Sequence, residues 1–348
     1  MINIGYYLNS FGIGGTEKTA QLFANHLDQS KFTIHLIVKN TDLSRVPLLF
    51  HHVKLSIVQD IKEATSIIQK QNFDILHVFR SGFPEFPNPE ISPTSKFVET
   101  NVFGFIDPNP LITKTIYMSE WLQNYSLRKY NTHYKLPVNR FTFINNPTLL
   151  PATTEKIILP DVDHETIILG RNGRPDPGTY SDVSVKAARN LMSLGYKIHF
   201  LAMSPPQNML NDLSDFDIPH TVLPTSINER ELSKFYNTID IYCESRADGH
   251  TCGNVIQEAM MHRKPVVTHI ATARENFGVF QAQTTLVDNR VTGFVTQNDP
   301  YEFSQALKFL SDNTSKRILM GEAGYAKVLN IAHVDVSVSK LQEVYESV

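Results

Sequence analysis

A glycine-punctuated stretch at residues 244–269, ESRADGHTCGNVIQEAMMHRKPVVTH, holds the residues whose spacing best suits ligand chemistry. Gly249 and Gly253 bracket a loop that follows a predicted strand and opens onto a predicted helix carrying Glu258. A loop of this kind presents backbone N–H groups and the positive end of the helix dipole to a ligand. The stretch therefore predicts an anion-binding site, with a phosphate as the favoured ligand.

A second glycine-rich turn, FGIGGTEK at residues 11–18, precedes the first predicted helix. Gly12, Gly14 and Gly15 can adopt positive φ angles and let a ligand approach the backbone, and Thr16 can cap the helix. The spacing matches neither the GxGxxG of dinucleotide-binding proteins nor the GxxxxGK[ST] of P-loops. Glycines at a strand-to-helix turn are equally compatible with a purely structural role.

Short apolar strands alternate with helical patterns along most of the chain. Strands of continuous apolar residues imply burial on both faces, as in a parallel sheet covered by helices. In the first half we predict strands at residues 2–8, 33–39, 73–79, 96–100, 115–119 and 141–145. The first helix has a buried stripe formed by Ala20, Phe23, Ala24 and Leu27. This half is predicted to be a doubly wound α/β domain.

The same alternation restarts in the second half. Strands are predicted at residues 166–171, 197–203, 220–223, 239–244 and 265–269, with helices starting near Ser181, Pro206 and Asn228. Ligands bind beyond the carboxyl ends of the strands in open parallel sheets. We therefore expect two Rossmann-like domains facing a cleft, with the ligand bound between them.

The length of 348 residues suits two domains, predicted at residues 1–150 and 166–330. The proline-rich segment 151–165 predicts a linker. Within it, Asp161 and Asp163 have a spacing found in divalent-cation sites, but a linker position argues against that role. Residues 331–348 predict a C-terminal helix, with Val338, Leu341, Val344 and Tyr345 at helical spacing, that packs back toward the first domain.

Charge and cysteine usage exclude several classes of protein. The 32 Lys and Arg residues nearly balance the 35 Asp and Glu residues, and without a dense basic run we expect no nucleic-acid partner. The only cysteines, Cys243 and Cys252, fit a reducing compartment. No signal peptide and no apolar run of the ~20 residues that a transmembrane helix needs is recognisable. These features predict a cytoplasmic protein and leave a peripheral membrane contact open.

Five motifs in order carry a resemblance to a known family. They are GIGGTEKTAQLFANHL, DILHVF, IILGRNGRPDP, GHTCGNVIQEAMMHRKPVVT and DNRVTGFVTQND, whose TGFV resembles the family's turn after the last strands. Over nearly its whole length the chain resembles the retaining GT-B glycosyltransferases of the family 4 type. The resemblance implies that the first domain binds an acceptor hydroxyl of a glycan, glycolipid or other molecule. It implies that the second binds a nucleotide sugar, and that transfer retains the anomeric configuration without a metal ion or other cofactor.

The resemblance also assigns roles to charged residues. Glu258 matches the family's final glutamate, which hydrogen-bonds the ribose hydroxyls, and the alternative is an exposed helix-surface charge. Arg171 matches the arginine that contacts the diphosphate. Thr179 stands where the family's lysine aligns, and Arg174 can compensate for the missing cation.

Two further positions depart from the family. His250 replaces a glutamate that lies near the donor sugar, and Asn101 lies in the region where the family often has a histidine after the fourth strand. An amide can position a hydroxyl but cannot act as a base. The remaining donor-binding residues implied by the resemblance lie in the two glycine-rich turns and are Gly14, Gly15, Thr251, Cys252, Gly253 and Asn254.

Other functions remain open at this stage. A zinc site from Cys243, His250, Cys252 and His262 has the right residue types but lacks a CxxC spacing, so no metal site is expected. The departures at Thr179 and His250 are compatible with a nucleotide-sugar-binding protein that is catalytically impaired. An epimerase of related architecture fits the motifs less well. GDP-mannose is slightly favoured as the donor from family prevalence, and a UDP-sugar is the alternative.

Overall fold

The chain was analysed as a computed structural model that describes residues 1–80, 95–160, 162–272 and 279–348. It divides into two compact units. The first comprises Met1–Pro147 together with Ala332–Val348, and the second comprises Thr148–Ile331. Within the described residues, no helix is both long and apolar enough to cross a membrane.

The helices and strands alternate along both units. The first unit begins with β1 Ile2–Leu8, α1 Gly15–His26, β2 Phe32–Lys39, β3 Lys54–Val58, α2 Ile61–Gln71, β4 Ile75–Arg80, β5 Lys96–Asn101, β6 Ile112–Tyr117, α3 Glu120–Ser126, α4 Thr132–Tyr134 and β7 Phe141–Phe143. The second unit contains β8 Ile167–Asn172, α5 Val183–Ser193, β9 Ile198–Met203, α6 Gln207–Asp215, β10 His220–Leu223, α7 Glu229–Thr238, β11 Ile241–Glu244, α8 Asn254–Met261, β12 Val266–His269, α9 Ala282–Leu286, β13 Gly293–Thr296, α10 Pro300–Asp312 and most of α11 Thr314–Ala332. The last helix, α12 Val334–Ser347, belongs to the first unit.

The first unit is built on a parallel sheet with strand order β3-β2-β1-β4-β5-β6-β7. The predicted doubly wound domain is thereby confirmed. The edge strand β3 was missed in the sequence because it is partly exposed and lacks a continuous apolar run. The other strands lie within a few residues of their predicted positions, since burial on both faces requires continuous apolar sequence.

Helix α1 buries the predicted stripe of Ala20, Phe23, Ala24 and Leu27. It begins at Gly15 with Gly14 as its N-cap, so the expectation that Thr16 caps it is wrong. The expected positive φ is also wrong for the glycine-rich turn. Gly14 has φ −62°, and the positive-φ glycines of the described residues do not include Gly12 or Gly15.

Helix α12 closes the first unit by packing on α1. The side chain of Tyr345 is buried in the interior, where its hydroxyl lies 2.8 Å from the Tyr6 hydroxyl and 2.5 Å from His77 Nδ1. His77 Nε2 lies 2.8 Å from the Thr100 hydroxyl. This buried polar chain connects α12 with β1, β4 and β5, because each of those strands contributes one of its members.

The second unit contains a parallel sheet with strand order β10-β9-β8-β11-β12-β13. The second predicted doubly wound domain is likewise confirmed. One expectation is corrected, because the TGFV sequence forms edge strand β13 rather than a turn. A Cβ on Gly293 would lie 1.9 Å from the Val266 carbonyl oxygen, so glycine permits the close approach of β13 to β12.

Residues 151–160 and 162–165, in the predicted linker, form no helix or strand, and residues 152–157 contact α7. Ala152 N–H donates to Ser233 Oγ at 2.9 Å, and Ile157 N–H donates to Thr238 Oγ1 at 2.7 Å. Asp163 is exposed and accepts a hydrogen bond from Lys197 Nζ at 2.7 Å. The other half of the aspartate pair, Asp161, lies outside the described residues.

Candidate functional site

The strand order of the second sheet reverses direction between β8 and β11, which are neighbours although β9 and β10 separate them in sequence. In open α/β sheets, ligands bind outside the carboxyl ends of the strands at such a switch point. Arg171 and Asn172 end β8, and Glu244 ends β11. The topology therefore places a cation, an amide and a carboxylate at the expected ligand position.

The Arg171 guanidinium is buried at this point, with the residue only 3% exposed. Its Nη1 lies 3.8 Å from Met209 Sδ, and its guanidinium carbon lies 5.8 Å from the centre of the Tyr180 ring. It makes no ion pair within 4.0 Å to any of the described side chains, and its Nε has no hydrogen-bond partner among them. Because a buried charge is normally stabilised by an opposite charge, this guanidinium is well suited to an anionic ligand.

The loop after β11 has a backbone that requires glycine at two positions. Gly249 has φ +71°, and a Cβ there would lie 1.8 Å from the Phe280 carbonyl oxygen. Gly253 has φ +76° and is the N-cap of α8. The expectation that these glycines bracket a loop opening onto the helix of Glu258 is confirmed, and a left-handed backbone explains why glycine occupies both positions.

Hydrogen bonds to the first turn of α9 hold the same loop in place. His250 N–H donates to Gln283 Oε1 at 3.0 Å, and Ala282 N–H donates to the His250 carbonyl oxygen at 3.0 Å. Arg246 and Asp248 form an ion pair at 2.7 Å within the loop. The loop is thus fixed at both its centre and its start.

The N-terminus of α8 carries the predicted group Thr251, Cys252, Gly253 and Asn254 in sequence. Burial raises the pKa of the Cys252 thiol, although the nearby N–H groups of Asn254 and Gly253 partly oppose this shift. The protonated thiol donates to Asn254 Oδ1 at 3.2 Å. Cys252 is therefore a small polar group of the loop, whereas a thiolate nucleophile would require a lowered pKa. Diphosphate binding by these four residues stays a prediction.

Glu258 lies half-buried on α8 and is anchored by a tyrosine from α7. The Tyr236 hydroxyl lies 2.9 Å from Glu258 Oε2 and also accepts a hydrogen bond from Asn172 Nδ2 at 3.4 Å. Burial, followed by the charge of Glu258, raises the pKa of Tyr236 well above its ordinary value, so the hydroxyl stays protonated. Glu258 is consequently held next to the end of β8, and the alternative of an exposed surface charge does not apply.

A second tyrosine connects the end of β8 to the end of β11. The Tyr242 hydroxyl lies 2.9 Å from the Asn172 carbonyl oxygen and 3.0 Å from Glu244 Oε2. The other carboxylate oxygen, Oε1, lies 3.2 Å from His250 Nε2. A hydrogen-bonded network therefore crosses the switch point, and its members are Glu258, Tyr236, Asn172, Tyr242 and Glu244. His250 Nε2 lies beside this network and makes no hydrogen bond to a described residue.

Electrostatics keep the Glu244 carboxylate ionised at neutral pH. Burial alone would raise its pKa, but the nearby His250 and Arg171 and the hydrogen bond from Tyr242 outweigh burial, so the pKa lies below its usual range. His269, at the end of β12, is 1% exposed, and burial lowers its pKa. The site thus contains a buried carboxylate surrounded by groups that stabilise its charge.

Arg174 and Thr179, in the segment after β8, lie outside this network. Arg174 is exposed. Thr179 is 4% exposed, and its hydroxyl donates to the Asp176 carbonyl oxygen at 3.0 Å. The side chain at the position where the resemblance predicted a lysine is therefore used to hold its own turn.

The predicted residues of the first unit occupy two different turns. Gly14 and Gly15 lie at the start of α1. Asn101 is fully buried at the end of β5, where its Nδ2 donates to the Phe105 carbonyl oxygen at 2.6 Å and its Oδ1 accepts from Gly104 N–H at 2.8 Å. Both ends of the amide hold this turn, so the structure gives Asn101 a structural role.

The residues proposed for a zinc site have other partners. Cys243 is buried in the core of the second unit, and His262 contacts the Glu258 carbonyl oxygen at 2.7 Å and Ser233 Oγ at 3.1 Å. Over the described parts of the chain, no three His, Cys, Asp or Glu side chains are grouped as a metal site would require.

Sequence reasoning missed four members of the network, which are Glu244, Tyr242, Tyr236 and Asn172. For Asn172 and Glu244 a signal was present, because each is the last residue of an apolar strand and the carboxyl ends of parallel strands meet at one edge. No such signal exists for Tyr236, which reaches the site from the middle of α7.

The fold of the chain is similar to that of several solved glycosyltransferases, although its sequence has no recognised relatives. No protein-family model and no curated protein matches the sequence. A glycosyltransferase from Rickettsia africae is similar in structure, with a TM-score of 0.76 and 16% identity over 99% of this chain and 98% of that protein. HepE from Anabaena, solved with UDP and glucose, has a TM-score of 0.77 and 13% identity over 100% of both chains. Sucrose-phosphate synthase from Thermosynechococcus elongatus has a TM-score of 0.75 and 14% identity over 100% of this chain and 99% of that one. The expected architecture is confirmed, and the chain has the GT-B fold of these glycosyltransferases.

Proposed function

We propose that the protein transfers a sugar from a nucleoside-diphosphate donor to an acceptor hydroxyl. The observation that carries the proposal is the buried Arg171 at the switch point of the second sheet, beside the anchored Glu258. A guanidinium matches the geometry of a diphosphate, and a carboxylate can accept hydrogen bonds from two adjacent ribose hydroxyls. The shared fold with HepE, which was solved with UDP-glucose, supports the same donor class.

The proposal can be extended to the base and the sugar of the nucleotide-sugar donor. Family prevalence slightly favours GDP-mannose, whereas the UDP and UDP-glucose complexes of HepE favour a uridine donor. We propose a UDP-sugar as the first donor to test, with GDP-mannose as the alternative. The acceptor is a hydroxyl of a glycan, a glycolipid or another molecule, bound by the first unit.

The proposed reaction retains the anomeric configuration and uses no metal ion. Negative charge develops on the departing diphosphate, so fixed positive groups that face it lower the barrier. Arg171 would supply a buried positive charge, Arg174 would supply an exposed one, and Gly253 and Asn254 would present the positive end of the α8 dipole. NMR couplings of the product's anomeric proton test retention, and activity measured with excess chelator tests metal independence.

The central experiment compares Arg171→Met with Arg263→Met by calorimetric titration of UDP and GDP. Arg263 is the matched control because it also lies over an aromatic ring, that of Tyr325 at 3.8 Å, but is 47% exposed and paired with Glu322. A charged hydrogen bond is worth about 1.5–3 kcal/mol, which corresponds to a loss of about 10- to 150-fold in affinity for Arg171→Met. Equal affinities for the two variants would contradict the assignment.

Glu258→Gln tests the ribose contact against Glu231→Gln, an exposed glutamate on α7. We expect Glu258→Gln to weaken nucleoside-diphosphate binding and to slow turnover of the donor. Inorganic pyrophosphate has no ribose, so its binding should be unchanged. Unchanged nucleotide affinity would remove Glu258 from the site.

A second candidate function is nucleotide-sugar binding without transfer. The observation in its favour is Thr179, whose buried hydroxyl holds its own turn where a cation is expected. Both candidates predict donor binding, so product formation distinguishes them. Transfer or slow hydrolysis of any bound nucleotide sugar, followed by release of the nucleoside diphosphate, would exclude the binding-only function.

A further inference from the structure

A group of positively charged side chains lies at the amino ends of the strands in the second sheet. Lys264 stands two residues before β12, and Asp240 immediately precedes β11. Glu244 and His269 end the same two strands at the candidate site. Each strand has four residues and spans about 13 Å, so the group lies at the opposite edge of the sheet. The proposed sugar transfer makes no use of it.

The charged group is assembled around the C-terminal end of α7. Lys264 Nζ donates to the carbonyl oxygen of Asn237 at 3.3 Å, and the linker is bonded to the same helix end through Ile157 N–H. From α11, Arg317 Nη2 lies 3.8 Å from Asp240 Oδ1, two residues beyond the helix. The linker, the turn before β12 and α11 therefore converge on one helix end.

The positive charge at this helix end exceeds the negative charge. Lys156, Lys264 and Arg317 carry three positive charges here, against the single negative charge of Asp240. The C-terminus of α7 adds the equivalent of about half a negative charge, which leaves an excess of about one and a half positive charges. The carboxylate of Asp240 is also engaged elsewhere, because its Oδ2 accepts a hydrogen bond from Ile168 N–H at 2.9 Å.

The neighbouring carboxylates do not balance this excess, because each has its own cation. Glu322 lies 3.0 Å from Arg263, and Glu155 is paired with two cations of α7. Among the described residues, neither Lys156 nor Lys264 has a carboxylate oxygen within 4.0 Å of its ammonium group. Two lysines of the group are therefore without an ion-pair partner.

Lys264 shows the cost of the excess charge. Burial is the main reason that its pKa falls to about 8; Asp240 opposes the shift, and Lys156 and Arg317 add to it. The folded chain thus keeps an ammonium group where it is partly desolvated and repelled by other cations. A bound anion would remove this cost, because it supplies the missing opposite charge.

We propose that Lys156, Lys264 and Arg317 form a second binding site, at the end of α7, for a phosphate group. A phosphomonoester carries about 1.5–2 negative charges near pH 7 and accepts several charge-assisted hydrogen bonds. Exposed aliphatic side chains lie beside the cations in sequence, since Ile158 is 89% exposed and Ile318 is 58% exposed. The phosphate belongs either to a soluble compound or to a lipid headgroup. The site does not depend on the proposed sugar transfer.

The first test titrates the full chain, labelled with ¹³C-lysine, with inorganic phosphate at pH 7 and constant ionic strength. NMR signals of the lysine methylene groups report each ammonium group separately, so phosphate bound near Arg171 is not mistaken for phosphate bound here. We expect the Lys156 and Lys264 signals to shift together and to saturate. Lys327 is the control, because it is 22% exposed and lies 2.8 Å from Asp288. Shifts of equal size at Lys327 would show unspecific ion binding and overturn the site.

Variants then measure how much each lysine contributes to phosphate affinity. Lys264→Met should lose about 10- to 150-fold, the value of a charged hydrogen bond, whereas the exposed Lys156→Met should lose about 2- to 5-fold. Lys308→Met is the control, since that lysine is paired with Asp312, and its affinity should equal that of the parent. Lys264→Met removes a charge that destabilises the fold, so its lost binding cannot result from unfolding. Equal affinities for Lys264→Met and Lys308→Met would refute the assignment.

Anionic vesicles distinguish a lipid headgroup from a soluble phosphate. The parent and Lys264→Met are sedimented with vesicles of phosphatidylglycerol and phosphatidylcholine, and with vesicles of phosphatidylcholine alone. Capture of the parent by the anionic vesicles, reduced in Lys264→Met and in Ile318→Ser, would assign the site to a lipid headgroup. Saturable phosphate binding without such capture would assign it to a soluble compound. Capture that is equal in the parent and Lys264→Met arises elsewhere on the chain and counts as no binding here. Binding in neither experiment would overturn the inference.

Discussion

Replacing Gly249 by alanine tests whether the loop after β11 is held as tightly as its geometry indicates. The residue has φ +71°, and an added Cβ would lie 1.8 Å from the Phe280 carbonyl oxygen. Gly195 is the matched control, because its φ is +89° and nothing lies within 4 Å of an added Cβ. Both substitutions strain the backbone, but only Gly249→Ala also creates a clash.

The expected magnitudes follow from these two contributions. A left-handed backbone costs a non-glycine residue about 1–2 kcal/mol, and overpacking costs about 1–3 kcal/mol more. Gly195→Ala should therefore lose about 1–2 kcal/mol of unfolding free energy, and Gly249→Ala about 2–5 kcal/mol. For a domain of about 150–250 residues, each kcal/mol lowers the melting temperature by about 2–4 °C, so the two variants should differ by about 2–12 °C.

Circular dichroism melts of the two purified variants measure this difference. Calorimetric titration of nucleotide sugar well below the melting temperature then tests the site. Only Gly249→Ala should lose affinity, because the loop must move away from Phe280 and take the bonded His250 backbone with it. Equal melting temperatures for the two variants would refute the argument that the Phe280 carbonyl restricts this position.

Two predictions concern groups whose charge is affected by burial. Burial lowers the pKa of His77 to about 3, so between pH 3 and 6.5 the unfolded chain binds more protons. Stability should rise with pH across that window, and His77→Asn should reduce the slope by up to about 1.4 kcal/mol per pH unit in urea titrations. The exposed His51→Asn is the control, and an unchanged slope in His77→Asn would contradict the prediction. Burial also lowers the pKa of Lys264 to about 8, below the ordinary 10.5, so its ammonium destabilises the folded state fully below pH 8. Lys264→Met should raise the melting temperature by a few degrees at pH 7, and the gain should disappear as the pH approaches 10.5. A gain that is the same at both pH values would show that the apolar thioether, and not the lost charge, is responsible.

Buried strands could be located from the sequence because their residues are constrained on both faces. Strand β1, which lies between two partner strands, was predicted at its observed bounds. Strands β3 and β13 lie at sheet edges, where one side has no partner strand and partly exposed residues are tolerated. Strands β3 and β13 therefore lack the long apolar run from which buried strands are predicted, whereas the edge strands β7 and β10 were still located from the sequence.

The candidate site was predictable where local sequence determines it. Gly249 and Gly253 follow from the strand, loop and helix pattern, whereas the roles of Glu258 and Arg171 came from the resemblance to a known family. The hydroxyl of Tyr236, which orients Glu258, depends on how α7 packs against the sheet. Contacts of that kind are tertiary, so no short-range spacing encodes them.

The return of α12 to the first unit has a consequence for synthesis on the ribosome. Residues 332–348 emerge only after Thr148–Ile331 have been made, so the second unit can fold as one uninterrupted stretch. The nascent first unit, in contrast, cannot complete its core until Tyr345 has been synthesised. Until then, His77 and Tyr6 lack the hydrogen bonds that they make to the Tyr345 hydroxyl. The part of the protein that is translated first is therefore the part whose folding finishes last, and it relies on its N-terminal residues remaining soluble throughout elongation.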